Sequence, residues 1–246
     1  MYRVEYVKYL IGKVSKIKVN LMEFRFFEIY RSTEYLNILL EGIITSFILT
    51  VFASSIGFAF AIILAGVRYA KIYFLDSVSA SYTEFIRNTP LIVQLFFVAF
   101  GLPILLNYQW PFWAHALLAL ILNFSAYFAE ILRAGFVNIS KGQLEGAMSI
   151  GLSRNVIFYK IVLPQAVAKM YPSLVGQFIF LFLTTGIISE IGVQDLPHAG
   201  LFIDSRSFRS FEVFTTLTVL YIGLSLFFKY ILSRANLILF PYLIKS

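Results

Sequence analysis

From Gly42 to Val67 the chain runs for 26 residues without a charged side chain. Coiled as a helix, such a run covers about 39 Å, more than the roughly 30 Å of a bilayer's hydrocarbon core. Other long apolar blocks follow it. With 59% hydrophobic and only 13% charged residues, against about 25% charged in an ordinary soluble domain, too few polar side chains remain to clothe a soluble core of this size. The sequence therefore predicts an all-α, polytopic membrane protein, and the same figures exclude intrinsic disorder. With no cysteine, disulfide frameworks, cysteine zinc sites and thiol nucleophiles are excluded. Two histidines alone, His115 and His198, give no expected metal site.

Five spans are predicted. The first is 42–67, with Gly42, Gly57 and Gly66 plus Ala53, Ser54 and Ser55 forming a small-residue face suited to close helix packing. The stretch from Lys71 to Arg87 mixes apolar and polar residues and reads as an interfacial or half-buried helix, with Arg87 as a snorkelling anchor beside Glu84. The second span runs from Pro90 to about Leu106, with Asn88 or Thr89 as its cap and a kink expected at Gly101 and Pro103. The third is Phe112 to Leu132, the fourth Met170 to Ser189, the fifth Glu212 to Ile231. Trp110 and Trp113 mark an interfacial belt.

The net charge of +7 is read as topology information, with no nucleic-acid partner expected. Residues 133–169 carry five Lys/Arg and the turn at 107–111 carries none, which places the large loop in the cytoplasm, the N-terminus outside and the C-terminus inside. The seven Lys/Arg of residues 1–34 favour the opposite direction, a conflict that the larger pattern outweighs. Lys8, Lys13, Lys16 and Lys18 interrupt any apolar signal core in the first twenty residues, so the first span is expected to act as the insertion signal. Within 1–34, Val4, Val7, Ile11, Val14, Ile17 and Leu21 recur at helical spacing. A basic amphipathic helix lying on the membrane lipid and a short solvated lead-in both fit this tail. Residues 35–235 form the transmembrane domain and 236–246 a C-terminal tail.

The segment KGQLEGAMSIGLSRNVIFYKIVLPQA, Lys141 to Ala166, is the longest stretch of punctuated polar sequence after the tail. Gln143 to Ile150 is helix-compatible, Gly151 offers a left-handed C-cap, Ser153 caps a second helix to about Val162, and Pro164 fits the first turn of the fourth span. A slim helical bend of this kind suits docking into a partner's cleft, and also serves as a plain connection.

This segment resembles the EAA loop of ATP-binding-cassette (ABC) importer permeases. Glu145, Gly146, Ala147, Gly151, Ile161, Leu163 and Pro164 stand at that loop's spacing, with Gly146 in place of its first alanine. TEFIRNTPLIVQLFF (83–97), SAYFAEILRAG (125–135) and IGVQDL (191–196) are similar to the polar amino-acid branch, of the histidine, glutamine and arginine type. The resemblance covers roughly residues 38–235. It implies the type I importer permease fold of five transmembrane helices and an ATP-driven import of a polar amino acid across the bacterial inner membrane. It also implies a coupling loop at about 135–164 that inserts into a separate ABC ATPase, a second permease subunit, and an extracytoplasmic amino-acid-binding protein. Within that loop Glu145 would pair with a basic group of the ATPase, Ala147 and Gly151 would permit close approach, and Leu152 would fill an apolar spot. The chain has no G-x-x-x-x-G-K-[ST] run, so ATP–Mg is expected in the partner, with no cofactor and no catalytic residue in this chain.

Intramembrane polar residues are costly and commonly functional. Gln94, Asn123, Tyr127, Glu130, Thr184 and Thr185 are the candidates for a solute path, and Asn123, Tyr127 and Glu130 share one helix face. A carboxylate there suits an ammonium group; Glu130 could equally pair with Arg133 at i+3, and the amide and hydroxyls could bond across helices. An ion-coupled secondary transporter is the alternative function, although internal repeats and broken helices, its usual marks, are not evident. A membrane enzyme would need a constellation that is absent, and a scaffold subunit is the remaining reading.

Overall fold

The computed structural model of the chain describes residues 25–241; the tail reading for residues 1–24 and 242–246 lies outside them. A short helix α1 (Phe26–Arg31) leads into α2 (Thr33–Tyr69), α3 (Tyr73–Arg87), α4 (Leu91–Leu106), α5 (Phe112–Val137), α6 (Lys141–Ser149), α7 (Arg154–Ile191), α8 (Leu196–Ser207) and α9 (Ser210–Leu239). No strand occurs among the described residues. Four helices, α2, α5, α7 and α9, are each long and apolar enough to cross a membrane, and the pair α3–α4, bent by 107°, is long and apolar enough only when its two helices are taken together, as a broken span or a re-entrant segment.

The long pair α2 and α5 forms the spine. Ala53, Gly57, Ala61 and Ala65 recur every four residues on α2 and are buried, so the two backbones approach closely. A Cβ at Gly57 would lie 2.8 Å from that of Phe124 on α5. The predicted small-residue face divides among three neighbours: Gly42 abuts the Asp195–Leu196 backbone, Gly57 faces α5, and Gly66 faces the Phe158 ring of α7. Ser55 is exposed. Large apolar side chains such as Phe52, Phe60, Ile63, Val219 and Leu226 stand outward, as a lipid-facing surface requires.

Several boundaries differ from the sequence expectation: α5 runs to Val137 and not Leu132, and α9 to Leu239 and not Ile231. α2 begins at Thr33, nine residues before Gly42, because Ser32 accepts a hydrogen bond from the Tyr35 N–H and caps the helix. With Ile29 of α1, residues assigned to the tail thus join the core formed by Leu39, Leu196, Ala199, Ile203, Val213 and Leu217. α4 is only about 24 Å long, short of a full crossing by itself, and the expected second span is one arm of the bent α3–α4 pair. Pro90 caps α4 at the bend with extended geometry, and proline disfavours helical geometry at Thr89.

The fourth span does not start at Met170. α7 is continuous from Arg154, and Pro164 and Pro172 lie inside it. Proline lacks an N–H and its ring presses on the carbonyl four residues back. A π-helical turn at Phe158–Val162 immediately precedes Pro164, and another at Phe97–Gly101 precedes Pro103 in α4. Widening the turn relieves that pressure while the helix continues.

Candidate functional site

Two regions collect the polar residues: the α6–α7 bend and a cavity beside the α3–α4 bend. At the first, α6 ends in a Schellman arrangement. The Gly151 N–H donates to the Met148 carbonyl (3.0 Å) and the Leu152 N–H to the Ala147 carbonyl (3.2 Å), with Gly151 at φ +82°. Only glycine adopts that conformation without strain. The Ser153 hydroxyl then accepts from the Val156 N–H at 3.4 Å and starts α7.

Ala147, Ile157 and Val162 are buried, and Leu144, Leu152, Ile161 and Leu163 pack partly buried against the same core. Leu152 thus has an apolar contact within its own chain. Glu145 and Gly146 are exposed, and Pro164 is half-buried. A Cβ at Gly146 would meet nothing within 4 Å. The apolar side chains that project outward are Met148 and Ile150, the latter 76% exposed, with Val156 and Tyr159 beside them. No periodicity marked Met148 and Ile150, since they flank the cap and belong to no amphipathic repeat. The base of the bend is braced. Lys169 donates to the Asn138 carbonyl at 3.0 Å, joining α7 to the end of α5. Gly135 of α5 leaves room for Met170 and Ala166.

The second region is a cavity of about 540 Å³ lined by Arg87, Asn88, Thr89, Asn123, Tyr127 and Thr184, with Pro90, Leu91, Phe180 and Leu181 as its apolar walls. Breaking a helix within a bilayer leaves carbonyls without donors. Gln94 answers this: its amide nitrogen donates to the Ile86 carbonyl (2.7 Å), the Thr89 carbonyl (3.0 Å) and the Thr89 hydroxyl (2.8 Å). Its oxygen accepts from the Asn123 amide at 3.1 Å. The clasp fixes the bend against α5 and holds Arg87, Thr89 and Asn123 around one space.

Of the sequence-selected residues, Asn123, Tyr127 and Thr184 line this cavity and Gln94 braces it. Thr185 is buried and its hydroxyl donates to the Phe182 carbonyl. Glu130 is engaged elsewhere: it accepts from Arg68 at 3.1 Å and from Arg133 Nε at 2.9 Å, and Arg68 also lies 3.9 Å from Asp76. These charges tie α2, α3 and α5 together. Arg87, read from sequence as an anchor, places its guanidinium 5.6 Å from the Tyr127 ring centroid, with no carboxylate within ion-pair distance among the described residues. Arg87 and Thr89 border a proline, a signal that marked the helix start but not the space beside it.

The chain matches, over residues 57–236, the family described as the binding-protein-dependent transport system inner membrane component. It belongs to that family. Relatives of this permease include the probable amino-acid ABC transporter permease protein PatM of Vibrio harveyi, 33% identical over 192 residues, covering 77% of this chain and 86% of the relative. The probable glutamine ABC transporter permease protein GlnP of Bacillus subtilis is 36% identical over 176 residues, 72% of this chain and 80% of its own. Among solved structures, an amino acid ABC transporter crystallised with histidines superposes with a TM-score of 0.77 at 32% identity, over 87% of this chain and 99% of that one. The fold is that of a type I ABC importer permease, a membrane-embedded transport subunit, and family membership sets aside the ion-coupled alternative.

Proposed function

We propose that this permease passes an amino acid inward across the bacterial inner membrane as one of two permease subunits. A separate ABC ATPase holds ATP–Mg and grips the α6–α7 bend, and an extracytoplasmic binding protein supplies the solute. The cavity at the α3–α4 bend carries the reading: a polar space bordered by Arg87, which has no ion-pair partner among the described residues, in a chain with many large apolar side chains on its outside. A guanidinium offers paired donors to a carboxylate, and desolvation by Leu91, Phe180 and Leu181 strengthens that contact. Asn123 gives its amide nitrogen to Gln94, which leaves its oxygen, with the Tyr127 and Thr184 hydroxyls, to accept from an ammonium group. Arg87 then takes the carboxylate. Glu130, held by two arginines, serves to position α5, and Gln94 and Thr185 act behind the lining. The amino-acid relatives support the substrate class.

At the bend, Met148 and Ile150 supply apolar area for the ATPase, Glu145 a charge for a basic group, and Ala147 with Gly151 the slim profile. Ile161, Leu163 and Pro164 transmit the pull into α7. The basic loop 133–169 on the cytoplasmic side puts the N-terminus outside and the C-terminus inside. In liposomes containing the assembled transporter, Arg87→Gln is expected to cut amino-acid uptake at least about tenfold, the scale of losing one charge-assisted pair. Undiminished uptake by that variant refutes the cavity as the solute site.

A further inference from the structure

Gly42 and Gly66 lie 24 residues apart on α2, about 36 Å along the axis. Gly66 faces the α6–α7 side and Gly42 faces Asp195, so Asp195 sits at the end of the molecule opposite the ATPase-facing bend. There a small cavity of about 160 Å³ opens between α2 and the start of α8. Ile38, Ala199 and Phe202 form its apolar sides, and Glu41, Gln194 and His198 its polar ones.

Asp195 also lines the cavity, yet the residue is fully buried. One carboxylate oxygen caps α8 by accepting from the His198 N–H at 3.0 Å. The other, Oδ2, has no hydrogen-bond partner among the described residues. An acceptor stripped of water and left unbonded is costly, and a singly charged donor entering the cavity removes that cost. The cation nearest in sequence is already engaged: Arg206 lies 3.6 Å from Glu34 and stacks on the Phe202 ring at 4.3 Å. Glu41, Asp195 and His198 all border the cavity, but among the described residues no three such side chains are placed to hold a metal ion.

We propose that this cavity receives a lysine side chain of the extracytoplasmic binding protein, its stem along Ile38, Ala199 and Phe202 and its ammonium between Asp195 and Glu41. The apolar sides select an alkyl-ammonium over a bare ion, and the small volume suits one unbranched chain. The inference rests on the importer reading above and on the outward orientation of this end.

Burial pushes the Asp195 carboxyl up to about 7, against the opposing pull of the His198 N–H. An arriving ammonium favours the ionised form, so docking releases a proton and tightens as pH rises through 7. Facing Asp195 are Glu41 on α2 and His198 on α8, and near it lies the half-buried Tyr221 of α9, whose buried hydroxyl has no hydrogen-bond partner among the described residues. Ser46 of α2 accepts from the Leu196 N–H at 3.2 Å.

The test measures the affinity of the binding protein for the assembled transporter in lipid nanodiscs between pH 6 and 8.5. The wild type is expected to bind more tightly with rising pH. Asp195→Asn, which keeps a helix cap, is expected to bind about tenfold more weakly at pH 8 and without that pH dependence. Glu41→Gln, remote from the cap, is expected to weaken binding about twofold to threefold, and His198→Gln to keep the pH dependence. Equal affinity and pH profile in wild type and Asp195→Asn overturn the proposal. Saturable heat from sodium chloride titrated into the transporter alone, lost in Asp195→Asn, assigns the cavity to an inorganic cation and also overturns it. Removal of residues 1–24 that abolishes the pH dependence makes the chain's own basic tail the occupant, with the same consequence. Failure here leaves uptake by the Arg87 variant as an independent measure of the importer reading.

Discussion

At the end of α2 that the proposed orientation makes the inner one, the Glu130 carboxylate is gripped by Arg68 and Arg133, whereas at the other, proposed outer, end Asp195 is buried with one oxygen unbonded among the described residues. Both groups sit between packed helices, and both would be expensive if left ionised and alone. The inner one has its counter-charges supplied by α2 and by its own helix. It therefore locks α2, α3 and α5 together next to the α6–α7 bend. The outer one has no such supply among the described residues, and burial pushes its carboxyl up to about 7, so that near neutral pH it is only partly ionised. A satisfied carboxylate makes a joint; an unsatisfied one marks a place where something else arrives.

The largest expected effect breaks the inner region at its bend. Gly151→Trp places a bulky side chain at φ +82°, strained on its own and a barrier to close approach. ATPase activity stimulated by the binding protein is expected to fall at least about tenfold, with affinity for the binding protein retained. Unchanged stimulation would remove the bend from the coupling role.

Glu130→Ala comes next. It strands Arg68 and Arg133 beside each other, and thermal unfolding in detergent is expected to show a loss of about 2–3 kcal/mol. That is below the full cost of a buried pair because the carboxylate is partly exposed. A variant with normal stability and lost uptake would place Glu130 in the solute path and dissolve the contrast between the two ends.

Asp195→Asn is expected to act in the opposite direction and only at high pH. Its acid is raised in the folded chain, so the folded state holds the proton more tightly than the unfolded one. The stability this gives is complete below about 4 and lost as pH climbs to about 7. The variant escapes that loss, so it should unfold later than wild type at pH 8, by about 2 kcal/mol or more, and the gap should close as pH falls toward 4. The smallest effect is Gly146→Ala, which fills open space and should stabilise α6 by up to about 1 kcal/mol, visible as slower amide exchange there.

Hydrophobic runs marked the spans because each must satisfy its backbone internally and face lipid, a demand written in local composition. The ends of those spans were less legible. Glu34 and Glu41 stop an uncharged run, yet α2 continues through them, since a helix longer than the bilayer carries charges beyond it. Pro164 does open the α-helical stretch from Leu163, but the helical run begins earlier, at Arg154, because a π-helical turn at Phe158–Val162 carries it up to the proline. The α6–α7 bend was readable, down to Gly151 and Ser153, since capping is a matter of adjacent residues.

Sequence by itself determined the solvent of this protein, its helical class and the capped bend, all of which depend on spacing along one chain. Only the tertiary structure decided that Arg87 joins Asn123, Tyr127 and Thr184 around one cavity while Glu130 is withdrawn to Arg68, 62 positions away. It alone decided that Asp195 is buried beside Gly42. Charge pairing and desolvation act through space, between helices whose mutual register is set by packing, and no local pattern encodes which distant partner completes a charge.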